Sequence, residues 1–262
     1  MGARWYLSRR YVAITQEVRI TMLQNRPTFA PDNFVATEGI SDVQRTVLKN
    51  VYLWMTAGLV ITGLTASYVA SNDRLVGAIA GNPMLLFALI IAELGLVFFL
   101  SARIQRMSPM AITLSFAAYS LLNGVTLSLV FLAYTGASVA RAFFLAGGMF
   151  AAMSFYAMTT KRNLASWGSY LFMGVIGLIL ASVVNIFLAS AALDWLISLA
   201  GVAIFLGLTA FDTQRILAMS AQFADGMDEG SFIRVSALGA LRLYLDFINL
   251  FLFLLRLLGS RE

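Results

Sequence analysis

Seven long apolar segments follow one another along the chain, separated by short polar connections. They cover residues 50–71, 83–102, 109–134, 139–159, 167–191, 195–217 and 236–258. An α-helix needs about 20 apolar residues to cross the hydrocarbon core of a bilayer. The pattern therefore predicts seven membrane-spanning helices. Connections such as SNDRLVGAIAGNP and IQRMSP are short and rich in turn formers, which predicts that neighbouring helices pack antiparallel in one bundle.

Composition supports an all-α integral membrane protein. Of the 262 residues, 60% are hydrophobic and only 12% are charged, which is far from the composition of a soluble globular domain. The sequence has no Cys and no His, which excludes disulfides, zinc sites built on these residues and catalysis by an imidazole base. We therefore expect no enzymatic activity, and titration near neutral pH has to come from carboxylates.

The basic residues predict the orientation. Arg74, Arg141, Arg256 and Arg261 fall on one side of the seven spans, and all the other Lys and Arg among the 18 basic residues fall on the side of the N-terminus. Cytoplasmic loops carry the excess of Lys and Arg, so the N-terminus is expected in the cytoplasm and the C-terminus outside. Topology explains the net charge of +5 better than binding of nucleic acid does.

The first 48 residues contain Arg, Pro and Ser but no apolar run long enough for a signal peptide. We expect residues 1–48 to form a disordered cytoplasmic tail and residues 49–259 to form the transmembrane domain. The stretch RWYLSRRYVAITQEVRITM is rich in Arg and poor in acids. It fits an organellar presequence, an amphipathic surface helix, or a start codon assigned upstream of Met22, and the sequence leaves these three alternatives open.

Three acidic residues lie at membrane depth: Glu93, Asp212 and Asp246. An Asp near the centre of a membrane helix costs about 2.5–3.5 kcal/mol, which favours a functional role. Asp212 and Asp246 lie at similar depth from the same side, on consecutive spans, so antiparallel packing can bring them together. Such a pair would share a proton, and its oxygens, with Asn249 one turn beyond Asp246, suit Ca²⁺.

A structural explanation remains open for each acid. Asp212 can pair with Arg215 at i+3, and Asp246 can be neutralised by Arg242 at i−4. Glu93 can line a cavity, bond to a neighbouring helix while protonated, or form the far end of a polar face that reaches Arg103, so functional and structural roles both stay open for it.

Two motifs centred on the aspartates resemble a known family. LYLDFINLFLFLLRLLG is similar to the C-terminal signature of the Bax inhibitor-1 family, in its bacterial type, and LTAFDTQRI is similar to the sixth-helix motif of that family. Similarity extends over TTKRNLASWGSYLFMGVIGLILASVVNIFL, NPMLLFALIIAELGLVFFLSARI and SLLNGVTLSLVF. The resemblance covers residues 45–259.

The resemblance implies a seven-helix bundle of the bacterial inner membrane, with the last helix in the centre. It also implies a pH-sensitive Ca²⁺ leak, as a channel or as a calcium/proton carrier, with Asp212 and Asp246 as proton sensor and calcium path. An Arg at the cytoplasmic end of the second helix would latch the pair when closed. Arg103 is the best candidate, and Arg106 is the alternative. No tightly bound cofactor is implied, because Ca²⁺ and protons are the transported ions.

Other functions of seven-helix proteins fit less well. The only lysines are Lys49 and Lys161, so no lysine in the last span can form a retinal Schiff base. An aspartyl intramembrane protease would also use two aspartates on adjacent helices, but its YD and GxGD motifs are missing. The remaining alternative is a regulatory membrane protein that acts by binding other membrane proteins in cell death or membrane proteolysis.

Overall fold

The computed structural model describes residues 41–222 and 228–260. Nine α-helices are found in this part of the chain: α1 Asp42–Ala70, α2 Asp73–Ala80, α3 Pro83–Arg103, α4 Pro109–Leu127, α5 Val130–Ala133, α6 Gly136–Thr159, α7 Trp167–Leu188, α8 Ala191–Ala221 and α9 Glu229–Leu258. A 3₁₀ turn, Ile104–Arg106, follows α3. Seven of the helical segments are long and apolar enough to cross a membrane. The prediction of an all-α integral membrane protein with seven spans is confirmed.

The first spanning helix begins at Asp42, before the boundary expected at residue 49. Ser41 accepts a hydrogen bond from the Gln44 amide, and the Gln44 side chain accepts one from the Ser41 amide. This reciprocal cap fixes the start of α1 in a polar stretch that an apolar pattern does not detect. The Gln44 side chain also donates to the carbonyl of Leu217 at 3.0 Å, which ties the start of α1 to α8. Residues 1–40 of the tail expected over residues 1–48 lie outside the described residues.

Hydrogen bonds at the helix ends show which ends of the helices lie together in the bundle. At the end where α1 begins, here called the proximal end, Gln214 of α8 accepts from the Leu164 amide and donates to the Arg162 carbonyl. At the opposite, distal end, the Ser260 amide after α9 donates to Ser138 at the start of α6. These bonds agree with the alternating antiparallel path that the short connections predict.

The last helix is the most buried of the seven spans in the described part. In its most apolar stretch 67% of the residues are buried, against 33% or less in the other six. It packs against α1, α4, α6 and α8, whereas α3 packs on α4 and α7 packs on α8. Leu243, Tyr244 and Leu250 of α9 are fully buried. The central position of α9 among all six other spans stays a prediction.

Candidate functional site

Asp212 lies on α8 in a row of buried polar side chains. The residue is 8% exposed, and its neighbours Thr209 and Thr213 are fully buried. Each threonine hydroxyl donates to a carbonyl one turn earlier, Thr209 to Phe205 at 2.8 Å and Thr213 to Thr209 at 2.7 Å. Hydroxyls bonded in this way are satisfied within their own helix. The Asp212 carboxylate takes its partner from another helix.

That partner is Arg242 on α9. Its Nη1 donates to Asp212 Oδ1 at 3.2 Å and forms an ion pair between the two helices. Arg215, at i+3 from Asp212, is exposed and interacts electrostatically with both Asp212 and Arg242. The local pairs considered from the sequence were Asp212 with Arg215 and Asp246 with Arg242. The structure instead joins Asp212 directly to Arg242.

Asp246 is the second buried carboxylate, on α9. It is 4% exposed, and its Oδ2 has no hydrogen-bond partner among the described residues. It interacts electrostatically with Asp212 and with Arg242. An unsatisfied buried acceptor costs about 1–3 kcal/mol, so this oxygen is not explained by a structural hydrogen bond.

The packing of α8 on α9 sets the relative depth of the two acids. Arg242 is level with Asp212, and a Cβ added at Gly239 would meet Ile216 at 3.0 Å, which gives the same antiparallel register. Asp246 follows Arg242 by four residues, about 6 Å along the helix axis. The two carboxylates therefore differ in depth by about one helical turn, and the Arg242 guanidinium is within electrostatic reach of both.

Polar side chains from two more helices lie next to the pair. The hydroxyl of Tyr52 on α1 lies beside Ser154 on α6 and Thr213 on α8. Tyr52 OH and Ser154 Oγ are buried without a hydrogen bond of normal geometry to any described residue. Buried polar atoms without partners are few in proteins and call for an explanation. The three hydroxyls come from α1, α6 and α8 and lie in one layer, and Thr213 is the residue after Asp212.

An apolar contact of three helices lies on the proximal side of this layer. Val51 of α1 and Ile216 of α8 are fully buried. A Cβ on Gly239 of α9 would come within 2.9 Å of Val51 and 3.0 Å of Ile216. The glycine thus permits a close approach of the three helices at this level, on the proximal side of the carboxylates.

Arg103 and Arg106, the latch candidates, lie at the proximal end. Arg103 is the last residue of α3, Arg106 lies in the 3₁₀ turn, and both side chains are exposed. In the described ranges the ion pairs are Arg242 with Asp212 and Arg256 with Asp194. The position next to the carboxylates is therefore held by Arg242 in this structure, and the latch role of Arg103 or Arg106 stays a prediction.

Glu93 belongs to a polar network other than that of the aspartates. Thr126 Oγ1 of α4 donates to Glu93 Oε1 of α3 at 2.6 Å, and Asn123 lies within reach of the same carboxyl group. Tyr244 OH of α9 donates to Asn123 Oδ1 at 3.1 Å. The network continues from Tyr244 OH to Thr62 Oγ1 of α1 at 2.6 Å. It links four helices around Glu93.

Sequence reasoning missed the polar members of this network. Thr62, Asn123 and Tyr244 are each less than 9% exposed, although they stand in apolar segments where a single polar group is easily overlooked. The signal available was Asn123 within SLLNGVTLSLVF, because an amide in a membrane span needs a partner on another helix.

Asn249 follows Asp246 by three residues on α9, and its expected role as a carbonyl ligand of Ca²⁺ stays a prediction. Its Nδ2 donates to the Leu245 carbonyl at 2.8 Å, one turn earlier on the same helix. No group of three or more His, Cys, Asp or Glu side chains that could hold a metal ion occurs within residues 41–222 and 228–260.

Comparison with known proteins agrees with the sequence motifs. Residues 44–262 match the family model described as Inhibitor of apoptosis-promoting Bax1. The inner membrane protein YbhL of Escherichia coli K12 is 48% identical over 218 residues, which cover 83% of this chain and 93% of that protein. A protein of Borreliella burgdorferi is 41% identical over 220 residues, 84% of this chain and 94% of its own length. A protein of Rickettsia prowazekii is 40% identical over 223 residues, which cover 84% of this chain and 91% of that protein.

Proposed function

The chain belongs to the Bax inhibitor family, and from this premise we propose that it conducts Ca²⁺ across the bacterial inner membrane in a pH-sensitive way. The inner membrane is proposed because the similar Escherichia coli protein is named for that location. The sensor is the buried pair Asp212 and Asp246. The observation that carries the proposal is the Asp246 carboxylate, which is 4% exposed and has one oxygen without a hydrogen-bond partner in the described part of the chain.

The charges around the pair support a competition among three cations. Arg242 occupies one oxygen of Asp212, and a proton or a Ca²⁺ ion would take the same carboxylates. With both aspartates ionised, Arg242 and Arg215 balance their charge, so the cluster has little attraction for a further cation. Ca²⁺ can enter once the Arg242 side chain leaves Asp212. Arg242 thus acts as the gate of the carboxylate pair.

Protonation changes the same balance. When the pH falls and one carboxylate gains a proton, its attraction for Arg242 weakens by the loss of one charge. The ion pair that holds α8 to α9 at this level then weakens, and the close contact of Val51, Ile216 and Gly239 can loosen. The pH would in this way control access from the proximal end, which the charge distribution predicts to be cytoplasmic.

Flux measurements on the purified full chain test the proposal. Protein is reconstituted into liposomes, and Ca²⁺ entry is followed at a series of pH values. We expect a pH-dependent flux that Asp246→Asn flattens, whereas Asp73→Asn, an exposed acid on α2, leaves it unchanged. A proton gradient that drives Ca²⁺ uphill would identify a carrier, and flux that only follows the Ca²⁺ gradient would identify a channel. Liposomes with no more flux than protein-free ones would contradict ion conduction and favour a regulatory role through other membrane proteins.

A further inference from the structure

A groove of about 350 Å³ opens on the distal half of the bundle. Its walls come from α1, α5 and α6 and its floor from α9, with lining side chains that include Thr62, Val139, Phe143, Ile248 and Phe251. The surface is almost entirely apolar. The Thr62 hydroxyl is already bonded to the Ser120 carbonyl at 2.9 Å and lies 2.6 Å from Tyr244 OH. The other lining hydroxyl is that of the exposed Ser67, so the groove offers few polar groups to a polar ligand, although its volume is in the range of small-molecule sites, roughly 300–1,000 Å³.

The groove lies at membrane depth and faces sideways. On α1 it extends from Leu59 to Ser67, and on α6 from Gly136 to Phe144, which is about 12 Å along each helix. Both helices are spanning segments. Phe144 at the rim is 77% exposed. The opening is consequently turned toward lipid hydrocarbon, so that a hydrocarbon chain is the ligand that matches it.

A cation lies beside the groove. Arg141 follows the lining residue Ala140 on α6 and is exposed. Its Nε donates to the Ala137 carbonyl at 3.2 Å and its Nη2 to Ser138 Oγ at 3.4 Å, so the guanidinium is turned back toward the first turn of α6. That turn lies at the distal end of the bundle, where a spanning helix meets the lipid headgroups. A guanidinium at this position complements a phosphate.

We propose that the groove binds one acyl chain of a phospholipid, whose phosphate lies against Arg141. The apolar walls of α1 and α6 hold the chain against Ile248 and Phe251 of α9. Arg141 selects an anionic headgroup at the distal surface. The ligand is a phospholipid, and a free fatty acid is the outcome that the test below separates from it.

Photolabelling of the full chain in nanodiscs tests the proposal. The nanodiscs contain palmitoyl-oleoyl phosphatidylethanolamine and phosphatidylglycerol, with a trace of phosphatidylglycerol that carries a diazirine within its acyl chain. Mass spectrometry should find the label on the groove residues of α1, α6 and α9. In Gly63→Leu the new side chain fills the groove and leaves no room for the acyl chain. Labelling of the α9 floor should therefore fall about tenfold.

Gly177→Leu is the matched control. Gly63 and Gly177 both lie within spanning helices, and a Cβ added at either would meet nothing within 4 Å. Only Gly63 lines the groove. Melting followed by circular dichroism checks that both variants fold alike. Equal labelling of the α9 floor in Gly63→Leu and Gly177→Leu would overturn the proposal.

The headgroup contact has its own readout. Arg141→Gln should reduce labelling by the phosphatidylglycerol probe but not by a diacylglycerol probe with the same chain. If Arg141→Gln changes neither, and equimolar palmitate displaces the phosphatidylglycerol probe, the groove is a fatty-acid site and the phospholipid proposal is wrong.

Discussion

Arg242 of α9 forms an ion pair with Asp212 of α8 at 3.2 Å, although Asp246 lies one turn further along its own helix. The guanidinium thus makes its ion pair across the two helices and acts on its i+4 neighbour only through its charge. Its side chain is 27% exposed and that of Asp212 is 11% exposed, so the pair lies in a partly dehydrated setting where charge attraction is less screened than at a surface. A cation at this point opposes the entry of another cation.

The first prediction follows from that opposition. Arg242→Gln should raise the basal Ca²⁺ leak at neutral pH by roughly tenfold, which corresponds to about 1.4 kcal/mol on the barrier. The measurement is Ca²⁺ entry into liposomes under a fixed gradient. Arg103→Gln and Arg106→Gln are the comparison variants, since the family resemblance gives the latch to one of them. If Arg103→Gln raises the leak and Arg242→Gln does not, the gate belongs to Arg103 and our assignment fails.

Close helix packing gives the second prediction. A Cβ at Gly124 of α4 would lie 2.7 Å from the backbone oxygen of Thr62 and 2.6 Å from Thr65 Cβ. Gly124→Ala should therefore destabilise the fold by about 1–3 kcal/mol, because backbone has to move. At Gly177, where nothing lies within 4 Å, Ala should be neutral or stabilising by up to about 1 kcal/mol. Unfolding in detergent, followed by circular dichroism, compares the two; equal stability would mean that α1 and α4 are not in close contact.

The third prediction concerns the network around Glu93. Tyr244→Phe removes the hydroxyl that donates to Asn123 and contacts Thr62. Interhelical hydrogen bonds in membrane proteins contribute about 0.6 kcal/mol on average and up to about 1.7 kcal/mol, so a loss of stability in this range is expected. Tyr170→Phe is the control, because Tyr170 is 76% exposed. A Tyr244→Phe variant as stable as the control would show that the network does not stabilise the bundle.

The helical spans could be predicted from the sequence because crossing a bilayer requires length and apolarity. The spans at 83–102 and 167–191 match α3 and α7 closely. The ends that extend into polar sequence could not be found in this way. The last helix starts at Glu229 rather than at 236, since Asp228 caps it by accepting from the Ser231 amide at 3.0 Å. The short helix α2, within a connection predicted only as turns, is capped in the same manner by Asn72.

The candidate site was predictable in its residues but not in its pairing. Burial of Asp212 and Asp246 follows from their position in apolar helices. The choice of Asp212 as partner of Arg242 depends on the register of α8 on α9, which is set by Gly239 packing on Ile216. The i+3 and i+4 rules describe neighbours on one helix, and here a contact between helices outweighs them.

The last prediction concerns the coupling of the two aspartates. Asn keeps the shape of a protonated Asp and removes its charge, so Asp212→Asn and Asp246→Asn should each flatten the pH dependence of Ca²⁺ flux across the neutral range rather than only scale it. Arg242 is within electrostatic reach of both acids. Removing the charge of one carboxylate therefore changes the effect on flux of removing the charge of the other. Each effect is expressed as a free energy from the logarithm of the flux ratio between variant and wild type. The effect of the double variant should then depart from the sum of the two single effects by about 0.5–3 kcal/mol, the range for residues in one network.

Asp73→Asn combined with Asp246→Asn supplies the control for this cycle, since Asp73 is exposed on α2 and its effect should add to that of Asp246→Asn within error. Flux in liposomes at several pH values measures all variants under one Ca²⁺ gradient. Additive effects of Asp212→Asn and Asp246→Asn would mean that the two acids titrate independently. Such a result is compatible with a contribution of each acid to Ca²⁺ flux. If both single variants keep the wild-type midpoint and Ca²⁺ dependence, the carboxylates are structural, because a proton sensor cannot lose its titrating group and keep its midpoint.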